Sequence, residues 1–222
     1  MARGGAPPGN FRDLTKNMQL LGTAERQAEF KRKYEDAEIF IGLDDKFHCG
    51  SHYSNPGIVL HYLSRVHPYL EANVELHGNS LDHPDRVFRS LQASFTNANT
   101  DFSDVRELIP EFFYLPEMYL NKNHCNFGTK QDGVTVSDVE LPKWASNNPY
   151  KFVSVLREAF ESPYVSANLH SWIDYIFGCK QRGQEAAMTL NTFSKITYTS
   201  DLPGDFNIAA IADEHLKSAY EN

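Results

Sequence analysis

The sequence predicts a mostly α fold, in which helices flank a core of extended, irregular segments with at most minor β structure. Three observations lead there. First, a polar residue followed by proline recurs before apolar stripes of helical spacing, at Asn55-Pro56, Asn148-Pro149 and Ser162-Pro163. The polar side chain caps the first turn, and proline suits the first helical position, where its missing donor costs nothing. Second, in the segment from Asp104 to Glu117, Pro110 and Pro116 push Ile109 and Leu115 out of the helical region and remove two backbone donors. Between the prolines lie Phe112, Phe113, Tyr114 and Leu115, too apolar to be left in water. Chain buried without regular structure needs partners for its backbone groups, and Asp104, Arg106, Glu107, Glu111 and Glu117 are placed in sequence to supply them. Third, strand signals are thin: only Asp132-Gly133, between Thr129-Lys130 and Val134 to Val136, reads as a hairpin turn, and Asn191 to Tyr198 alternates weakly.

The elements follow in order. Residues 1–9 are compositionally disordered and residues 10–222 form one domain. Thr23 caps a helix to about Tyr34, with Glu25 in its first turn. Asn55-Pro56 opens an apolar helix that ends before Pro68. Asp82-His83-Pro84 starts another, carrying Val87, Phe88, Leu91 and Phe95. Asn148-Pro149 opens a helix with Phe152, Val155, Leu156 and Ala159 as its stripe. Ser162-Pro163 opens one that runs through Trp172 and Ile176 to Gly178, read as a left-handed terminator. In that helix Trp172, Ile173, Ile176 and Phe177 cover much of the circumference, which predicts burial on most sides and a core hydrogen bond for His170. A short helix near Gln184 to Leu190 and a last one near Ile208 to Tyr220 complete the set.

The chain of 222 residues carries a net charge of -8, which argues against a nucleic-acid binder and against direct docking on anionic lipid. Membrane association is therefore expected to be indirect. No apolar run reaches bilayer length, the N-terminus has no signal-peptide pattern, and no lipidation motif is found. Cys49, Cys125 and Cys179 form no paired motif and read as reduced thiols, placing the protein in the cytoplasm.

Chemistry is weighed on the same residues. His48 and His52 have a metal-ligand spacing, and Asp82, His83 and Asp85 with His77 form a second candidate cluster, so a metal-dependent hydrolase can be assembled from them. Gly50 lies between the two histidines, no third ligand is fixed near them, and backbone hydrogen bonds are the simpler role. Cys49 beside His48 points the wrong way for a thiol nucleophile. No phosphate loop, nucleophile elbow or dinucleotide fingerprint exists, so no catalytic residue, metal or cofactor is assigned. Arg106, Glu107, Glu111, Asp82 and Arg86 are read as a structural network inside the irregular core, because lone buried charges are too costly to leave unpaired.

Three blocks resemble one family. Phe47 to Leu63, with its Phe-His-Cys-Gly-Ser-His-Tyr-Ser run, Asp104 to Glu117, and Glu161 to Gly183 look like signatures of the BEACH domain family; Asn10 to Lys16 and Leu141 to Ala145 add shorter matches. Cys49 and Cys179 stand where tyrosine is usual, and Asn168 where histidine is usual. The resemblance runs from about Asn10 to about Tyr198, without the family's opening Asn-Asp and Tyr-Pro motifs or its proline-rich, basic closing segment. It implies helices around extended core segments, no accepted catalytic residues, and a non-enzymatic scaffold role in vesicle trafficking, lysosome or autophagy-related membrane dynamics. The protein would then sit peripherally on organelle or vesicle membranes. The partners implied are a pleckstrin-homology-like domain and WD repeats. A docking face is expected on the helix from Asn55 to Arg65, where Ile58, Leu60, His61, Tyr62 and Leu63 are more apolar or aromatic positions than one inward stripe uses, and Val66 to Tyr69 prolong it; Ile58, His61, Tyr62 and Tyr69 are its candidate binding residues.

Overall fold

The computed structural model describes residues 11–36, 46–101 and 103–198. Among the described residues eight α-helices run in order: α1 Met18–Leu21, α2 Ala24–Glu35, α3 Pro56–Tyr62, α4 Tyr69–Leu76, α5 Leu91–Thr100, α6 Pro149–Phe160, α7 Pro163–Ile176 and α8 Gly183–Met188. Short 3-10 turns cover Pro110–Phe113, Pro116–Tyr119, Lys143–Ala145 and Lys195–Thr197. β structure among the described residues is limited to isolated bridges, Cys49 with Phe193, Ser90 with Glu140 and Thr129 with Thr135. The fold is mostly α with minor β. The helix expected at Ile208 to Tyr220 lies outside the described residues.

Capping decides most helix starts. The side chains of Thr23, Asn55, Asn148 and Ser162 each accept a hydrogen bond from a backbone N–H of the following turn, and proline follows directly at the last three. Asp82-His83-Pro84 does not start a helix: it makes one turn, closed by Arg86 and Val87 N–H groups on the His83 carbonyl. Ser90 is the stronger cap, its Oγ accepting from Ala93, so α5 begins only at Leu91. The chain before it stays extended, which lets Arg89 and Leu91 exchange hydrogen bonds with Glu140. The helix opened at Pro56 stops at Tyr62 rather than running to Pro68, and α4 follows as a separate element. Gly178 is not left-handed either. A Cβ there would lie 2.8 Å from both the Cα and the Oδ1 of Asp174, because the chain doubles back to hand the Lys180 N–H to the Asp174 carbonyl.

The main core gathers Tyr62, Leu63, Phe88, Phe112, Met118, Tyr119 and Phe152, with α6 packed on the two proline-initiated turns. Tyr62 meets Phe88 and Phe112 edge-on, with centroids 5.0 and 4.9 Å apart, the arrangement that ring quadrupoles favour. A second cluster holds Phe30, Cys49, Val105, Leu190 and Phe193, and a third Val87, Phe127 and Val136. The segment from Pro110 to Tyr119 is coiled rather than extended, so it pairs much of its own backbone: Phe112, Tyr114, Leu115, Met118 and Leu120 donate three or four residues back. The carboxylates expected to serve that segment are not needed for those groups. α7 is less buried than its composition implies, with Ile173 and His170 exposed, as is Phe177 just past its end.

Elsewhere the irregular chain is held by two arginines that interrupt apolar sequence. Arg65 is 1% exposed; its Nε and Nη2 donate to the Ser137 carbonyl at 2.9 and 2.8 Å, and its Nη1 donates to the Phe88 carbonyl at 2.6 Å. Its guanidinium lies 4.7 Å from the Phe127 ring centroid. Arg26 does likewise for the carbonyls of Met18, Ala98 and Asp101 while covering Phe30. Arg65→Met should therefore lower stability by about 1–3 kcal/mol, since it orphans the buried Phe88 carbonyl. Arg86→Met, at an exposed ion pair with Asp82, should cost less than about 1 kcal/mol. Urea midpoints of the two variants check this, and equal small losses would refute it.

Candidate partner-binding cleft

α3 and α4 pack side by side, and the open space they leave against Asp101 and residues 103–106 is a cleft of about 410 Å³. Ile58 and His61 enter it from α3, Asn73 and Leu76 from α4, Asp82 and Arg86 from the turn before α5, and Asp104 and Arg106 from the facing segment. Asn55 fixes the rim by capping the Gly57 N–H at 2.7 Å.

Its charges are already matched. Arg106 grips both carboxylate oxygens of Asp104, and its Nη1 lies 2.6 Å from His61 Nε2. Arginine has no acceptor, so Nε2 accepts and the His61 proton sits on Nδ1. Burial and then the Arg106 charge push the His61 pKa down to about 3, keeping the ring neutral. Arg86 meets Asp82 at 2.7 Å on the opposite side, with His77 Nε2 3.8 Å from the same carboxylate.

The expected docking residues separate under this geometry. Ile58 and His61 line the cleft, while Tyr69 is 37% exposed on α4 and lies outside the lining. Tyr62 is a core residue, because its ring fills the space between Phe88 and Phe112, and burial raises its phenol to about 12. The structure also divides the five residues expected to form one network. Arg106, Asp82 and Arg86 meet at the cleft, whereas Glu107 faces Arg12 at 3.7 Å and Glu111 accepts from the Tyr114 hydroxyl at 3.1 Å. Burial raises the Glu107 carboxyl and Arg12 partly opposes it.

The candidate ligands for a metal are dispersed. His48 Nδ1 sits 2.7 Å from the Thr192 hydroxyl and the ring stacks on Tyr34; burial lowers its pKa to about 4. His52 spends both ring nitrogens, on Ser54 at 2.6 Å and on the Tyr198 hydroxyl at 3.1 Å. His83 pairs with Asp85 at 3.4 Å. Among the described residues no three His, Cys, Asp or Glu side chains gather as a metal site. Cys49 is fully buried, its thiol raised to about 11 by desolvation, which suppresses the thiolate that a nucleophile needs.

With this arrangement of capped helices, coiled proline segments and bridged histidine block, the comparison with known sequences is decisive. The family model for the Beige/BEACH domain matches residues 6–222. The chain belongs to the BEACH domain family. The match extends past Asn10 and Tyr198, the limits set by the motif blocks. Beige protein homolog 1 of Saccharomyces cerevisiae is 44% identical over 96% of the chain, WD repeat- and FYVE domain-containing protein 4 of Mus musculus 44% over 95%, and Protein SPIRRIG of Arabidopsis thaliana 45% over 96%. The chain spans 10% of the yeast protein's length and 6% of the other two. Against the family motifs, Cys49 is accommodated as a core residue with Gln19 Nε2 3.4 Å from its sulfur, and Asn168 turns back to the Tyr164 carbonyl at 2.8 Å. No described helix of this BEACH chain is long and apolar enough to cross a membrane.

Sequence reasoning passed over Arg65, Arg26, Ser64 and Asn73. The available signal was a polar pair, Ser64-Arg65, lodged between the apolar Leu63 and Val66 with no helix face left to expose it.

Stability should respond to the two buried neutral histidines. Unfolded, they titrate near about 6.5. Folded, they bind protons only near about 4 (His48) and 3 (His61). The unfolded state therefore holds more protons across that window, so their contribution is complete above about pH 6.5 and is lost as pH falls. His61→Gln, which keeps an acceptor for Arg106, should flatten the melting-temperature loss between pH 7 and 5. The reduction in slope should reach up to about 1.4 kcal/mol per pH unit. An unchanged slope would show that the folded His61 ring takes up protons as readily as the unfolded one.

Proposed function

We propose that this BEACH chain is a non-enzymatic protein-interaction module of a scaffold acting in vesicle trafficking, lysosome or autophagy-related membrane dynamics. The observation that carries the reading is the chemical state of the cleft. Its carboxylates at Asp104 and Asp82 are paired with arginines and its half-buried His61 is neutral. Catalytic groups are usually held with a poised base beside a nucleophile or an open metal position. A cleft of matched charges and apolar walls suits recognition instead. The partner docks along the α3–α4 face, where Leu76 lines the opening and Tyr69 stands exposed on the same helix. The family resemblance supplies the candidates, a pleckstrin-homology-like domain and WD repeats, and one relative carries WD repeat and FYVE domain in its name. The module works in the cytoplasm, peripherally on organelle or vesicle membranes, reached through its partners; its net charge of -8 disfavours direct attraction to anionic lipid.

Proximity labelling in cells tests this with the wild-type chain and with Tyr69→Glu and Leu76→Glu. Both side chains are exposed, so the variants should melt within a few degrees of wild type. The wild type should label proteins of vesicle, lysosomal or autophagic membranes, and both variants should lose most of that set. Folded variants with an unchanged labelled set would move the docking face elsewhere. Stoichiometric transition metal in the purified chain, together with metal-dependent hydrolysis, would overturn the non-enzymatic reading.

A further inference from the structure

Two buried polar side chains stand in the cleft wall, and the fold leaves the hydroxyl of one without a partner. Ser64 is 3% exposed, and its Oγ makes no hydrogen bond among the described residues. Asn73 is 4% exposed and lines the same space. Its backbone carbonyl is taken by His77, which leaves its carboxamide as the polar group it brings to the opening. Buried polar groups are normally satisfied, and leaving one unpaired costs about 1–3 kcal/mol. Alanine at position 64 would remove the cost, yet Ser64 stands with Asn73 in the wall of one opening of about 410 Å³. That combination points to a ligand which completes them.

The chemistry of the ligand follows from what is free and what is spent. A hydroxyl and a carboxamide together offer donors and acceptors to both the N–H and the C=O of a peptide unit. The ions are spent: Arg106 on Asp104, Arg86 on Asp82, and the Asp101 carboxylate on the Ser103 N–H and hydroxyl. A charged ligand would be desolvated there without an unpaired counter-ion, which is costly. Ile58, Leu76, Val87 and Val105 supply apolar wall between the polar groups. Extended chain presents side chains alternately to opposite sides, which suits a slot that is polar at one wall and apolar at others.

We infer that this cleft receives a short, uncharged stretch of extended polypeptide from a partner protein, with Ser64 and Asn73 hydrogen-bonding one of its peptide units and the apolar wall taking neighbouring side chains. This deepens the scaffold reading and rests on it.

The test uses the full chain and four pools of capped pentapeptides. One pool alternates Val or Leu with Ser or Asn. The second has the same sequences with N-methylated main-chain amides, and the third and fourth carry Lys or Glu at the polar positions. Binding is followed by fluorescence anisotropy and by the side-chain amide resonance of Asn73. The uncharged pool should bind saturably and shift that resonance. N-methylation, Ser64→Ala and Asn73→Leu should each weaken binding about tenfold or more, and both charged pools should bind at least about tenfold more weakly. Ser64→Ala should melt at or above the wild-type temperature, because it removes an unsatisfied group. Should that variant melt several degrees lower, the hydroxyl serves the fold and the inference falls. It falls equally if no pool shifts Asn73, if a charged pool binds as well, or if sedimentation shows Ser64→Ala dissolving a homodimer that fills the cleft. Loss of labelled neighbours in Tyr69→Glu and Leu76→Glu, with no pool binding, would retain the scaffold reading and reject only this ligand chemistry.

Discussion

The interaction on which the rest of the structure depends is the three-fold donation of Arg65 to the carbonyls of Ser137 and Phe88. A fold that buries irregular backbone has no ladder of its own to satisfy it, and every dry carbonyl must find a donor. Arginine suits this task, since its planar fork serves two directions at once and its weakly hydrated face tolerates an aromatic neighbour. Burial makes the charge harder to keep, lowering the Arg65 pKa to about 10, yet the guanidinium remains ionised at neutral pH. Its position at the end of α3 couples three things: where that helix stops, how Phe88 reaches the main core, and where Phe127 closes the third cluster. Arg26 repeats the arrangement beside the second cluster, stitching α1 and α2 to the end of α5.

The cleft is a by-product of the same geometry. Because α3 stops short, the chain turns inward through Leu63, Ser64 and Arg65 before α4 departs. α4 lies back against α3, and the turn at Pro84 to Arg86 faces the segment that carries Asp104 and Arg106. Cleft wall and core therefore come from adjacent residues: Tyr62 faces one way and His61 the other.

Much of the helix layout was legible because it rests on local rules. Thr23, Asn55, Asn148 and Ser162 cap where their side chains reach the next turn, and no tertiary context is needed to see it. Pro110 and Pro116 were equally readable as breaks, although the coiling that lets their segment pair itself was not. Misreadings arose where tertiary contacts chose between local options. Ser90 outcompetes Pro84 as a helix start because the chain before it bridges to Glu140, fifty residues away in sequence. The inward course of Arg65 depends on carbonyls that no spacing rule locates. In the cleft, sequence pointed to α3 through Ile58 and His61, but could not show that Tyr62 is spent on the core or that Asn73 of an unforeseen helix completes the wall.

The two ends of the described chain are sewn together by polar contacts. Asn17 reaches the Thr189 carbonyl at 2.9 Å, and His48 and Cys49 hang their N–H groups on the Thr192 carbonyl. Asn191 meanwhile ties down the carbonyls of Tyr175 and Lys180. During synthesis this seam cannot close until the stretch around residue 193 has left the ribosome. Until then Phe30, Cys49 and Val105 wait without Leu190 and Phe193, the last pieces of their cluster. Contacts so distant in sequence delay folding and leave apolar surface open meanwhile. A BEACH domain embedded in a much longer polypeptide would thus depend on chaperone cover during its own translation, and a premature stop before Leu190 would release a product whose second core never forms.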